Sequence, residues 1–288
     1  MNSLKISLMM IILMALFMWV GYLVGGQGGM VLAFVLAVVM NVGSYWFSDR
    51  IILKIYRARE VTELDHPRLF RVVRKIVAEA MMPTPKVCIV PSKAPNAFAT
   101  GRNAEHAVIA VTEGILEILD EDELEGVIGH EIAHILNRDM LIGTIAATFA
   151  GAIGILASIA RWGAIFGGYS RSNDRGGGLG LIVAAIVAPL AAMIIQMAIS
   201  RQREYKADAR SGQLTGKYIQ LASALEKLHK APVRLNLDQQ PATAHLMIAN
   251  PLSGKGLASL FSTHPPVEKR VAKLLELNTQ SAYYAGHP

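Results

Sequence analysis

The sequence predicts a mainly α-helical fold with a small β-sheet: a multi-pass helical membrane protein carrying a separate polar domain. Three observations carry this. Apolar residues are gathered into four long uncharged stretches, β-like runs are confined to about 86–111, and apolar residues elsewhere recur at helical spacing.

The membrane segments come first. Of 288 residues, 52% are hydrophobic and only 17% charged, against about 25% charged in soluble domains; the mean hydropathy is +0.37. Residues 6–24 carry no charge and are long enough to cross a bilayer. Residues 30–47 are also uncharged, with Asn41 and Ser44 as their polar members, and the glycine-rich 25–29 between them reads as a turn. Residues 1–47 are therefore expected to form a transmembrane helical hairpin. The first apolar run exceeds the roughly 7–15-residue core of a signal peptide and no A-x-A site follows it, so an uncleaved anchor is expected. Residues 140–160 and 179–199 form a second apolar pair, and 140–199 is expected to be a second transmembrane or membrane-associated hairpin. In it Gly143, Ala147 and Gly151 recur at the four-residue spacing that suits close helix packing.

Basic residues set the orientation. Arg50, Lys54, Arg57 and Arg59 follow the second stretch, Arg201, Arg203, Lys206 and Arg210 follow the fourth, and Lys5 precedes the first. The 161–178 loop carries Arg161, Arg171 and Arg175. The positive-inside bias places both termini and the polar domain in the cytoplasm. The net charge of +6 then reads as a topology signal and an attraction to anionic lipid. Because the basic residues hug the membrane boundaries, no nucleic-acid partner is expected. The single cysteine, Cys88, excludes an internal disulfide and reads as a buried strand residue.

The polar domain comes in two parts, 48–139 and 200–288. Asp65 and Pro67 suit the start of a helix whose apolar face is Leu69, Val72, Val73, Ile76 and Val77. Residues 86–90, 97–100 and 107–111 read as strands. Helices are expected from Asp120, over 200–210, over 217–228 and over 267–277; 231–258 show no clear periodicity.

The chemistry centres on His130-Glu131-Ile132-Ala133-His134. Positions i and i+4 share a helix face, so the two imidazoles can hold one metal ion while the glutamate reaches a water on it. Asp120 and Glu123 match an N-cap and its N3 partner, and Leu124, Val127, Ile128, Ile132 and Ile135 supply helical periodicity, so both histidines fall inside a helix. This is the pattern of a zincin-like catalytic domain. A catalytic zinc takes three protein ligands and an open position. Spacing offers Glu204 and Asp208 for the third, but the same face, with Arg201 and Lys206, would equally suit ordinary surface ion pairs.

Several segments resemble one family. Residues 95–101 (Pro-Asn-Ala-Phe-Ala-Thr-Gly), 122–125, 129–134, 200–208 (Ser-Arg-Gln-Arg-Glu-Tyr-Lys-Ala-Asp) and 262–266 (Ser-Thr-His-Pro-Pro) are similar to the motifs of the HtpX family of membrane-bound zinc endopeptidases and, more distantly, the CAAX prenyl proteases. The resemblance covers nearly the whole chain. It implies one Zn2+ per chain held by His130, His134 and Glu204, with Glu131 as catalytic base and Asp208 orienting a ligand histidine. It further implies that His264 and Arg270 lie beside the metal, where they can stabilise an oxyanion. Asn96, Ala97, Phe98 and Ala99 would belong to the segment that pairs with substrate. Membrane-protein or peptide substrates, cleaved in quality control or stress response, are what the family implies. A prenyl-type processing protease is the rival enzyme, disfavoured because those relatives carry more membrane helices. A transporter is disfavoured because the four apolar stretches hold no ionisable residue. A non-catalytic metal-binding scaffold is disfavoured by the intact motif.

Overall fold

The computed structural model describes residues 2–139, 201–231, 248 and 265–286. The third and fourth apolar stretches, most of 231–258 and His264 lie outside the described residues. The chain divides into two compact units, one containing Met1–Phe47 and the other Ser48–Leu141 with Ile199–Pro288.

Helical backbone runs over Asn2–Ile55 (α1), yet it is not one rod. Gly26 takes φ +59°, and a Cβ on Gly21 would meet the Gly29 carbonyl and the Ala33 side chain. Eight residues of straight helix rise about 12 Å, so these contacts require the chain to double back at Gly26, within the glycine-rich turn. Gly26–Phe47 is long and apolar enough to cross a membrane by length and composition, whereas Met10–Trp19 is a shorter apolar helix. Leu32, Val35, Val39 and Val42 stand exposed along the longer arm. Apolar surface on that scale is what a membrane-facing or partner-facing helix presents.

The second unit is built on a four-stranded sheet of order β1-β2-β4-β3, formed by Arg59–Glu60 (β1), Lys86–Val90 (β2), Ala97–Thr100 (β3) and Val108–Thr112 (β4). β2 runs parallel to β4, while β1 on β2 and β3 on β4 are antiparallel. Both faces are covered, so the strands read as continuous apolar runs rather than alternating ones. Val87, Ile89, Ile109 and Val111 enter the main core. Cys88, Val90, Phe98, Val108 and Ala110 pack on the other face against Ile52 and Tyr56 at the end of α1.

The helices of this unit are Pro67–Glu79 (α2), Glu113–Ile118 (α3), Glu121–Asn137 (α4), Arg201–Thr215 (α5), Tyr218–Lys230 (α6) and Val267–Gly286 (α7). The two-residue β1 and the one-and-a-half-turn α3 were not expected from the sequence. α2 begins at Pro67 as expected, but Asp65 does not cap it: its carboxylate accepts from the Thr62 amide and hydroxyl at 2.8 and 2.7 Å, and His66 stands at the N-cap. Asp120 and Glu123 do form the reciprocal capping box of α4, at 2.9 and 3.0 Å.

Glycine governs how α5 meets α4. A Cβ on Gly129 would lie 2.6 Å from the Ser211 hydroxyl oxygen and 2.9 Å from the Thr215 methyl. The Ser211 hydroxyl donates to the Gly126 carbonyl at 2.7 Å. The two backbones thus approach closely one residue before His130, which brings the carboxylates of α5 within reach of the α4 histidines.

Candidate metal centre

α4 places His130 and His134 one turn apart on the face that meets α5. Their Nε2 atoms are 3.1 Å apart. From α5, Glu204 brings Oε2 to 3.7 Å from His130 Nε2 and Oε1 to 3.5 Å from His134 Nε2. A tetrahedral ion with bonds of about 2.0–2.1 Å separates its ligand atoms by roughly 3.3 Å, so this spacing is that of three donors around one ion. Among the described residues these three form the one His/Cys/Asp/Glu group close enough to hold a metal.

The outward nitrogens are also engaged. His130 Nδ1 lies 2.9 Å from Asp208 Oδ1, one turn beyond Glu204 on α5. Arg270, from α7, donates to both oxygens of Asp208, Nε to Oδ2 at 2.8 Å and Nη2 to Oδ1 at 2.6 Å. His134 Nδ1 faces Asp139 Oδ2 at 3.3 Å. α4 ends on Arg138 in the left-handed conformation, which turns Asp139 back towards His134. An imidazole that gives its Nδ1 proton to a carboxylate presents the Nε2 lone pair, the form a metal binds.

Charge and burial agree with a cation site. His130, Glu131, Glu204, Asp208, Asp139 and Arg270 are all buried. The four carboxylates, Glu131, Glu204, Asp208 and Asp139, face two guanidiniums, Arg270 and Arg203, so acidic groups outnumber basic ones around the two histidines. Burial pushes His130 down to about 4, outweighing its bond to Asp208, so it is neutral at pH 7. Burial acts the same way on His134, but the Asp139 bond and the fields of Glu204 and Glu131 prevail and push it up to about 9. That upward shift reports the surplus negative potential a dication would answer. Asp208 is held below the usual carboxylate range despite its burial, through Arg270 and His130.

Glu131 lies between this cluster and the sheet. Its Oε2 accepts from the Ala99 amide at 2.8 Å. β3 is an edge strand. The Thr112 amide bonds the Asn96 carbonyl, and antiparallel pairing alternates, so Ala97 and Ala99 direct their main-chain groups away from β4, on the side where Glu131 sits. Asn96 is buried, and its carboxamide oxygen accepts from the Ile248 amide at 3.0 Å. Arg270 Nη1 donates to the Ile248 carbonyl, also at 3.0 Å.

The fold thus brings together His130, His134, Glu131, Glu204, Asp208 and Arg270, with Ala97, Phe98 and Ala99 on the adjoining strand and Asn96 just before it; His264 is outside the described residues. Sequence reasoning missed Asp139 and Ile248, and it gave Arg203, a topology charge within the 200–208 motif, no role at the site. Asp139 had one available signal, a carboxylate at the end of the motif helix where an apolar stretch begins.

A family model described as Peptidase family M48 matches residues 63–278. The chain belongs to peptidase family M48. It is 54% identical over 277 residues to a protease HtpX homolog of Syntrophobacter fumaroxidans, covering 94% of this chain and 97% of that one. It is 53% identical over 274 residues to a protease HtpX homolog of Pyrococcus furiosus, covering 95% of each. The crystal structure of S. mikatae Ste24p aligns with a TM-score of 0.51 at 20% identity, over 83% of this chain and 57% of that one; at that identity the likeness speaks for fold alone. This M48 peptidase is a membrane-associated metalloprotease whose His130–His134–Glu204 cluster is compatible with a zinc site.

Proposed function

We propose that this M48 peptidase is a zinc endopeptidase of a bacterial inner membrane, multi-pass, that hydrolyses misfolded membrane proteins at the cytoplasmic face. One observation carries the reading: two histidine Nε2 atoms and the Glu204 carboxylate converge on a single point beside the Glu131 carboxylate. His130, His134 and Glu204 would hold the ion. Zinc bound there supplies a Lewis acid and a water made acidic enough to ionise near pH 7.

The protein's own groups do the rest. Asp208 and Asp139 keep the Nδ1 protons on the two imidazoles, so both rings present Nε2. An extended peptide would lie along the side of β3 that faces away from β4, pairing with the Ala97 main chain and the Ala99 carbonyl, since the Ala99 N–H is given to Glu131. The Ala99 amide fixes Glu131 next to that peptide. Glu131 takes the proton of the attacking water and passes it to the leaving amine. Arg270, committed to Asp208 and the Ile248 carbonyl, suits the holding of Asp208 better than the binding of an oxyanion, which leaves His264 for that task.

The membrane setting is supported by the exposed apolar arm of α1 and by charge. The 140–199 stretch lies in sequence between the His130–His134 pair and Glu204, which argues for cleavage close to the bilayer surface. A prenyl-protease reading draws on the Ste24p likeness, but the near-full-length match to the HtpX homologs outweighs a likeness of fold.

Glu131→Gln tests the reading, since the amide keeps the acceptor for Ala99 and loses the base. Zinc should stay bound while casein cleavage falls by about 10²–10⁴-fold, and a chelator should abolish wild-type cleavage until zinc is restored. Full cleavage by Glu131→Gln rejects the assigned base. A reconstituted enzyme that cuts only soluble peptides and never a membrane protein rejects the substrate class.

A further inference from the structure

One carboxylate–arginine pair stands behind each histidine. The His130 pair, Asp208 with Arg270, contains a residue the family motif already places near the metal. The other does not. Asp139 Oδ2 is 3.3 Å from His134 Nδ1 and its Oδ1 is 3.6 Å from Arg203 Nη1. Asp139 is buried, and the Arg203 side chain is 19% exposed.

We infer that Asp139, backed by Arg203, is the positioning pair for His134, fixing its tautomer and aiming its Nε2 at the metal. The inference rests on the zinc reading above. Three facts carry it. His134 Nδ1 has this carboxylate as its acceptor, and such an acceptor decides which ring nitrogen keeps the proton. The left-handed Arg138 turns the chain so that Asp139 returns to the helix it has just left. Arg203 sits on α5 one residue before Glu204, so the ion pair links the helix bearing two ligands to the helix bearing the third.

The pair also brackets the apolar insertion: Asp139 precedes residues 140–200 and Arg203 follows them. It therefore ties the two ends of that stretch together at the back of a metal ligand.

The test uses the purified full-length protein in detergent. Zinc affinity is read by competition with a chromophoric chelator, and ligand geometry by the visible spectrum of the Co2+-substituted form. His134→Ala is the control for the parent reading and should lose most zinc affinity. Asp139→Ala is expected to weaken zinc about 10–100-fold and to alter the Co2+ bands. Asp139→Asn keeps an oxygen for the Nδ1 proton, and Arg203→Gln leaves the carboxylate in place. Each should weaken zinc by about 3–10-fold, less than the alanine variant. Asp139→Ala with wild-type affinity and spectrum, while His134→Ala loses zinc, overturns the inference and leaves the zinc reading intact. Wild-type affinity in His134→Ala overturns the zinc reading itself. Should Asp139→Ala fail to fold, Asp139→Asn and Arg203→Gln decide, and wild-type zinc affinity in both overturns the pair.

Discussion

Replacing Arg270 by methionine should unsettle the unit that holds the centre more than any surface change could. Arg270 is almost completely buried. Its guanidinium makes two charge-assisted bonds to Asp208 and one to the Ile248 carbonyl. Breaking one side of a buried ion pair costs about 3–5 kcal/mol, because the remaining charge is left without a partner. The orphaned Ile248 carbonyl adds about 1 kcal/mol. The sum, roughly 4–6 kcal/mol, is a large share of the ~5–15 kcal/mol that holds a typical domain together. At about 2–4 °C per kcal/mol for a domain of this size, the melting temperature should fall on the order of 10–20 °C. The assay is thermal unfolding followed by near-UV circular dichroism, with chelator present so that metal affinity does not contribute. The informative comparison is Arg270→Met with Asp208→Asn in one chain. If the cost lies in the unpaired carboxylate, the double variant melts well above the level expected from adding the two single losses, with a coupling of about 2 kcal/mol or more. Simple additivity would refute the claim that the two charges act as one unit.

Gly129→Ala should lower both stability and cleavage. Its new Cβ would collide with Ser211 and Thr215, and the overpacking, about 1–3 kcal/mol, exceeds the ~1 kcal/mol that alanine adds to a helix interior; a rise in melting temperature would show that α5 can yield there. Cys88 should resist alkylation in the folded protein. Burial pushes its thiol up to about 11, so at pH 8 only about one molecule in a thousand carries the thiolate, against roughly a quarter for an ordinary cysteine. Iodoacetamide labelling at pH 8 should be at least about 100-fold faster after denaturation, and comparable rates in both states would contradict the packing around β2.

The motif helix was the most legible element, because its capping box, apolar periodicity and paired histidines all speak at once over one short span. The 97–100 strand and the glycine turn at 25–29 were also readable from local composition. Glu204 was not: an i,i+4 acidic pair on a helix looks the same whether it faces solvent or a metal, and only the resemblance separated the two. β1 escaped because two residues leave no period to detect. Asp65 misled because its favoured N-cap chemistry was satisfied instead by a turn to Thr62. Asp139 and Ile248 escaped for a different reason. Ile248 acts through main-chain bonds to Asn96 and Arg270 that its type does not advertise, and Asp139 returns to His134 only through the left-handed turn at Arg138, which its position at the helix end hints at but does not fix.

The order of parts along the chain has a consequence for synthesis. The two imidazoles leave the ribosome first, then a long greasy stretch, then the third donor and, last of all, the guanidinium that steadies Asp208. A half-made chain therefore carries the base and two metal-binding groups but no complete cutting centre. A proteolytic enzyme arranged this way can cut only once the chain beyond Glu204 has been made and folded back against the motif helix.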